Sequence, residues 1–338
     1  EIVVKDGGGI ESTDIKAEVY DNNGNLLTTP VTVNFRLEPI LEGNYLNTPG
    51  QTTVNVETVN GIATVSLNSG SEPGPVRIIA TTNTPETSMC DTLNNQLENN
   101  SKQYSEIITN EMGKPISESI SEVKKCALVC EYYAKNAKHF LSPNYIKTEN
   151  ANSYVKYDPL GVIFAIMPWN FPFWQVFRFT LPAITSGNGI LLKHASNVQG
   201  CATAIESCFI EAGYPINIFR NLIIPAGRVK EVIENKAISA VTLTGSTPAG
   251  KEVASIAGAV LKKTVLELGG SDPYIILDDA NLEQAAVACT IGRLLNAGQS
   301  CIAAKRIIVT KKNVLKFIDL LESELNNRVV GDPLDDVD

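Results

Sequence analysis

The chain has 338 residues, 43% hydrophobic and 19% charged, which excludes a disordered polypeptide and predicts about two globular domains. Its 37 acidic and 28 basic side chains give a net charge of −9, which argues against a polyanion-binding role and against a nucleic-acid partner. No apolar run approaches the ~18 residues that cross a membrane; the best, Gly161 to Pro168, is short and ends in proline.

Residues 1–84 read as β throughout. Ile15, Ala17 and Val19 alternate with polar residues, as do Val31, Val33, Phe35 and Leu37, then Ala63, Val65 and Leu67, then Val76, Ile78 and Ala80. A period of two marks strands with one buried face. Turn signals separate them at Asp21 to Gly24, Thr48 to Gly50, Asn60-Gly61 and Glu72 to Pro75. The spacing predicts a small all-β sandwich. The stretch resembles the bacterial immunoglobulin-like domains of the invasin and intimin kind. The matching residues are D-x-x-G-N from Asp21 to Asn25, V-x-F from Val33 to Phe35, N-G-x-A-x-V-x-L from Asn60 to Leu67 and V-x-I-x-A from Val76 to Ala80. The resemblance implies a surface spacer or adhesin module without catalytic residues.

The pattern changes at Asn83 to Ser88. Leu93, Leu97, Tyr104, Ile107 and Ile108 begin helical spacing, and helices then alternate with apolar strands. Strands read at 161–167, 189–193, 222–224, 240–244, 264–267, 274–277 and 306–310, with helices at 228–235, 249–257 and 282–295 among them. Apolar strands alternating with helices predict a parallel sheet covered on both faces. Seven cysteines begin only at Cys90. Cys126 and Cys130 stand four apart and read as small apolar residues on a helix face. With only His139 and His194 available, no metal site is expected. This cysteine usage suits a reducing compartment.

Three residues stand out chemically. Cys301 lies in the Gly298-Gln299-Ser300-Cys301 loop, and reads as either a reachable nucleophile or a buried inert thiol. Glu267 is the single charge closing the apolar strand Val265-Leu266-Glu267. A carboxylate there is costly unless solvated or paired; it is either a general base made effective by burial, or a carboxylate emerging at a strand end. Asn170 stands between Pro168 and Pro172, and is either a donor to an oxyanion or a turn cap.

Together these residues resemble the aldehyde dehydrogenase superfamily. The resemblance rests on Pro168-Trp169-Asn170-Phe171-Pro172, a strand ending in Lys193, Thr244-Gly245-Ser246, Glu267-Leu268-Gly269-Gly270 and Gly298-Gln299-Ser300-Cys301. The Glu267-to-Cys301 spacing and Glu111-Met112-Gly113-Lys114-Pro115 add to it. It runs from about residue 88 to 338. It is closest to the succinate-semialdehyde branch, through Phe173-Trp174-Gln175-Val176-Phe177-Arg178 and Ser271-Asp272-Pro273. After the all-β sandwich read at 1–84, this second resemblance implies an α/β part. That part has N-terminal helices and a Rossmann-like, doubly wound NAD(P)-binding domain at 85–266, then the start of a catalytic domain at 267–338.

The same resemblance implies a mechanism. Cys301 attacks the aldehyde carbon, and the Asn170 amide and Cys301 N–H hold the oxyanion. Hydride passes to NADP or NAD, and Glu267 activates the water that hydrolyses the thioester. Trp169, Lys193, Ser196, Gly245 and Ser246 are the implied cofactor contacts. Ser196 stands where strict NAD users of the family often place a glutamate, which implies that NADP is accepted. The implied partner is a small aldehyde, and Arg178 is the implied grip on the carboxylate of succinate semialdehyde. A second arginine common in that branch is replaced by Leu295, with Arg293 nearby.

Gly245 to Lys251 nearly spells a phosphate-binding loop, but Glu252 stands where a magnesium-binding hydroxyl is required, which excludes an NTPase. The rival reading is a non-catalytic fusion or adhesin-type module carrying an inactive dehydrogenase segment. The chain opens at Glu1 without Met or a signal-peptide pattern and stops soon after Gly331-Asp332-Pro333, and so reads as truncated. On that reading it lacks the family's E-x-F-G-P segment and the strand through which family members form homo-oligomers. The expectation is then thiol labelling at Cys301 without turnover. The expected location is the cytoplasm, with the β part favouring a cell surface.

Overall fold

The structure is a computed structural model that describes residues 11–20, 25–38, 40–71, 76–82, 89–149 and 153–335. The chain divides into two compact units, 1–88 and 89–338. The expected turns at 21–24 and 72–75 and the change of pattern at 83–88 lie outside the described residues.

The first unit carries β1 (Ser12–Glu18), β2 (Thr32–Glu38), β3 (Tyr45–Leu46), β4 (Thr53–Glu57), β5 (Ile62–Asn68) and β6 (Arg77–Thr82). They pair as two antiparallel sheets, β1-β5-β3 and β4-β2-β6. The period of two explains the core: Val33, Phe35 and Leu37 from β2 are buried with Ala63, Val65 and Leu67 from β5. Strands β3 and β4 are additions to the sequence reading. The first is too short to show a period, and in the second Val54 and Val56 are only half-buried. Asn60 and Gly61 both hold positive φ, 52° and 79°, in a two-residue turn closed by Val59 and Ile62.

The second unit opens with α1 (Met89–Asn99), α2 (Ser101–Met112) and α3 (Ile116–Phe140), then the hairpin β7 (Asn144–Tyr145) and β8 (Tyr154–Val155). Strands and helices then alternate: β9 (Val162–Ile166), α4 (Trp174–Thr185), β10 (Gly189–Lys193), α5 (Gln199–Glu211), β11 (Phe219–Asn221), α6 (Val229–Glu234), β12 (Ile238–Gly245), α7 (Thr247–Ala259) and β13 (Lys263–Leu268). The five strands form one parallel sheet, ordered β11-β10-β9-β12-β13. Alternation along β9 divides its side chains between two cores. Ile163 and Ala165 join the core beneath α1, α3, α4 and α5, whereas Phe164 joins the one beneath α6 and α7. Helices therefore cover both faces.

The last elements are β14 (Pro273–Ile276), α8 (Leu282–Leu294), β15 (Arg306–Val309) and α9 (Val314–Asn326). Here β14 and β15 pair in parallel over a separate core of Ile276, Leu282, Ala286, Cys289 and Phe317. The expected division at 266/267 falls within β13, so Glu267 belongs to the last strand of the five-stranded sheet.

One strand differs from the sequence reading. The strand expected at 222–224 lies instead at Phe219–Asn221, where Phe219 pairs with Ile190 and is buried. The apolar Ile223 is exposed in the following segment. An edge strand tolerates Arg220 and Asn221, which hid it from a search for apolar runs. Cys126 and Cys130 are buried on α3, as helix-face residues. Among the described residues no helix is long and apolar enough to cross a membrane, and no cluster of three or more His, Cys, Asp and Glu is placed to hold a metal.

Candidate active site

Because β9, β12 and β13 run in parallel, they deliver their following loops to one end of the sheet. Open α/β sheets bind ligands at that end. There Pro168, Trp169 and Asn170 after β9, Gly245 and Ser246 at the end of β12, and Glu267 and Leu268 on β13 line one cavity of ≈ 380 Å³. Arg178 of α4, the loop Gly298 to Cys301 and Lys305 complete it. Three of the expected cofactor residues, Trp169, Gly245 and Ser246, are therefore in the cavity. Lys193 and Ser196 do not line it; they lie at and just after the end of β10.

All seven cysteines are unpaired and Cys301 alone is exposed. Burial pushes the thiols of Cys90, Cys126, Cys130, Cys201, Cys208 and Cys289 up, away from the reactive thiolate. The Cys301 loop has an uncommon backbone. After α8, Asn296, Ala297 and Gly298 hold φ of 60°, 53° and 74° in succession. Left-handed backbone costs a residue with a Cβ about 1 kcal/mol or more, so neighbours must hold it. Asn296 Nδ2 donates to Asn170 O (2.7 Å), Asn170 Nδ2 donates to Gln299 O (2.8 Å), and Gly298 N donates to Leu294 O (2.9 Å). Asn170 is thus tied to the Cys301 loop by both its backbone and its side chain.

Glu267 is solvated and paired, not buried. Its side chain is 58% exposed and lies 4.0 Å from the Arg178 guanidinium, which is 39% exposed. The expected base and the expected substrate grip thus face each other across the cavity.

The segment Glu111-Met112-Gly113-Lys114-Pro115 positions these loops. Glu111 accepts from Gly200 N and Cys201 N at the start of α5 (2.7 and 2.8 Å). Glu122 on α3 accepts from Phe173 N and Trp174 N at the start of α4 (2.8 and 2.7 Å). Each carboxylate satisfies two N–H groups that a helix start leaves free. Lys114 is fully buried, pairs with Glu122 and lies over the Phe171 ring at 4.7 Å. Sequence reading assigned no role to Glu111, Lys114 or Glu122. The available signal was the position of Glu122 on the same buried stripe of α3 as Ser119, Val123, Cys126 and Cys130.

His194, just after β10, bonds to the loop that carries Asn170. Its Nε2–H donates to Pro172 O (2.9 Å), while Nδ1 accepts from Ala195 N (2.9 Å). A carbonyl can only accept and an amide N–H only donates, so the ring is neutral with its proton on Nε2. Burial holds its pKa below the usual histidine value, against the raising effects of Pro172, Met167 and Glu111. A depressed histidine pKa contributes stability that is present above the unfolded value, ~6.5, and is lost as pH falls below it. The loss for this one proton is at most about 1.4 kcal/mol per pH unit. Both tryptophans, Trp169 and Trp174, lie in 89–338, so their emission follows unfolding of this unit. Denaturant midpoints at pH 7.5 and 5.5 are expected to diverge more for the unaltered chain than for His194→Gln, which does not titrate. Equal pH dependence would remove His194 as the source.

Of the expected cofactor residues, Ser246 caps α7, accepting from Ala249 N (3.4 Å). Gly250 fits the near-phosphate-loop pattern for a packing reason: a Cβ there would lie 2.5 Å from Leu268 Cδ2. Burial holds the Lys193 ammonium below the usual lysine value.

A thiol, an amide and a carboxylate thus gather in one cavity at the carboxyl ends of a parallel sheet, where open α/β enzymes place their sites. The sequence pattern of the Aldehyde dehydrogenase family matches residues 80–338, and the chain belongs to that family. It is 50% identical over 237 residues to a probable succinate-semialdehyde dehydrogenase [NADP(+)] of Synechocystis sp., covering 70% of this chain and 52% of that protein. It is 45% identical over 236 residues to the succinate semialdehyde dehydrogenase [NAD(P)+] Sad of Escherichia coli, covering 70% and 51%. The succinic semialdehyde dehydrogenase of Streptococcus pyogenes, solved in complex with NADP+, matches with a TM-score of 0.72 and 39% identity, over 74% of this chain and 55% of that one. The chain spans about half the length of the curated relatives it matches.

Proposed function

We propose that residues 89–338 carry the nucleophile, oxyanion donor and base of an NADP-accepting succinate-semialdehyde dehydrogenase. The observation that carries this is the cavity that gathers Asn170, Arg178, Glu267 and Cys301. The Cys301 thiolate adds to the aldehyde carbon, and the carbonyl electron pair moves to oxygen. One amide hydrogen of Asn170 serves Gln299 O, which leaves the second for that oxyanion. A nicotinamide cofactor held beside the adduct would supply hydride acceptance, the oxidation that brings the carbon to the thioester level. Glu267 then takes a proton from water, whose oxygen adds to the thioester carbon, and the C–S bond breaks to release acid and thiolate.

The residues present fit such a cofactor. Gly245 and Ser246 precede the N-terminus of the 13-residue α7, which suits a phosphate group. The half-buried Lys193 and the hydroxyl of Ser196 suit the extra phosphate of NADP. The printed names of the relatives support the same choice. All seven unpaired thiols suit a reducing compartment, the cytoplasm. Residues 1–84 are proposed as a non-catalytic spacer of the immunoglobulin-like kind, supported by the two-sheet core there.

Reduction of NADP, compared with NAD, by succinate semialdehyde and by butanal tests the reading. Arg178→Ala is expected to raise KM about ten-fold or more for the semialdehyde, as loss of a charged hydrogen bond would. For butanal the effect is confined to what loss of the Arg178–Glu267 pair causes. Equal effects on both aldehydes would remove the carboxylate role.

A further inference from the structure

Lys305 takes no part in the chemistry above, yet its geometry is specific. The side chain is exposed, and its Nζ donates to two backbone carbonyls at once, Gly270 O at 2.8 Å and Cys301 O at 2.9 Å. Gly270 lies three residues beyond Glu267, in the turn between β13 and β14. Cys301 lies in the loop between α8 and β15. One ammonium therefore joins the loop that follows the base to the loop that carries the nucleophile.

The position of this bridge explains why a side chain makes it. Strands β14 and β15 pair from Pro273↔Arg306 to Ile276↔Val309. Lys305 stands one residue before the first pair, at the end of the ladder nearest the site. Proline has no N–H, so Pro273 cannot donate a ladder bond across to that loop. The lysine side chain supplies the connection that the backbone lacks. On the opposite side the loop is held by Asn170 and Asn296.

We propose that Lys305 is a positioning residue that sets the separation of Glu267 from the acyl group carried by Cys301, and so governs thioester hydrolysis more than thioester formation. The proposal rests on the function proposed above. Attack by Cys301 needs the thiolate, a carbonyl and the Asn170 donor, none of which depends on the distance to Glu267. Hydrolysis needs a water placed between the two loops, and a displacement of about 1 Å at such a site can cost about a hundred-fold.

p-Nitrophenyl acetate separates the two steps without any cofactor. The Cys301 thiolate attacks the ester carbonyl, and p-nitrophenolate leaves with the electron pair of the C–O bond. Water then adds to the acetyl thioester, giving its proton to Glu267, and acetate and the thiolate separate. The unaltered chain is expected to release a burst of phenolate approaching one per chain, then a slower steady phase. Lys305→Met is expected to keep the burst amplitude and rate within about three-fold and to lower the steady phase about ten-fold or more. Lys305→Arg, which can still reach two carbonyls, is expected to restore the steady phase to within about three-fold. Because Lys305 is exposed, both variants are expected to keep the tryptophan emission of the folded unit. A burst in the unaltered chain with an unchanged steady phase in Lys305→Met, or an equal fall in both phases, overturns this inference alone. Absence of any burst in the unaltered chain overturns the reading of Cys301 as the nucleophile, and this inference with it.

Discussion

Cys301→Ala is expected to lower aldehyde oxidation by ~10⁴-fold or more, because removal of a covalent nucleophile leaves only binding and the oxyanion donors. No other cysteine can substitute. The remaining six are buried and their thiols are pushed up by that burial. Glu267→Gln is expected to give a different defect. The thiol still adds to aldehyde, and one equivalent of reduced cofactor forms per active chain. Turnover then stalls at the thioester, visible as a covalent mass increase on the Cys301 peptide. A fully active Cys301→Ala variant, or a Glu267→Gln variant with neither burst nor adduct, would contradict the division of labour between the two residues.

Lys114→Met is expected to destabilise residues 89–338 by about 3–5 kcal/mol, the range for leaving one member of a buried ion pair without its partner. The side chains of Lys114 and Glu122 are 0% and 2% exposed, so water cannot replace the lost charge. The double variant Lys114→Met/Glu122→Gln is expected to lose less. Glutamine keeps an oxygen to accept from Phe173 N and Trp174 N, and no unpaired charge remains. The midpoints of denaturant unfolding, followed by tryptophan emission, complete the cycle. A double variant less stable than Lys114→Met would show that the pair is not the source of the loss. The effect extends to the site, since Glu122 anchors the start of α4, and the Asn170 loop leads directly into that helix.

The elements legible in the sequence are those whose side chains face a core on a regular period. Strands β9, β10, β12 and β13 lie within two residues of where apolar alternation places them. So do helices α7 and α8. Cys301, Glu267 and Asn170 stood out because each is a polar or reactive group set in an apolar or proline-bounded context. The residues that hold them were not legible. Glu111 and Glu122 bond to backbone 89 and 51 residues away, and Lys305 to a carbonyl 35 residues away. Such bonds leave no period in the sequence, since their partners are main-chain atoms common to every residue type. The edge strand β11 was displaced for a related reason: one neighbour and a single buried Phe219 are enough to make it a strand.

The strand order β11-β10-β9-β12-β13 also bears on how the sheet is assembled as the chain is synthesised. Strand β9 is the first of the five in sequence and occupies the centre. Each later strand adds to an outer edge, β10 and β11 on one side and then β12 and β13 on the other. No strand has to insert between two that are already paired, so the sheet can grow outward in the order in which the ribosome delivers it. The last strand to arrive is β13, which carries Glu267. Until it docks, a nascent chain presents the β12 edge to solvent, and the carboxylate joins the site only when the sheet is complete. An arrested nascent chain ending before residue 263 therefore leaves this edge unpaired and open to pairing with another chain.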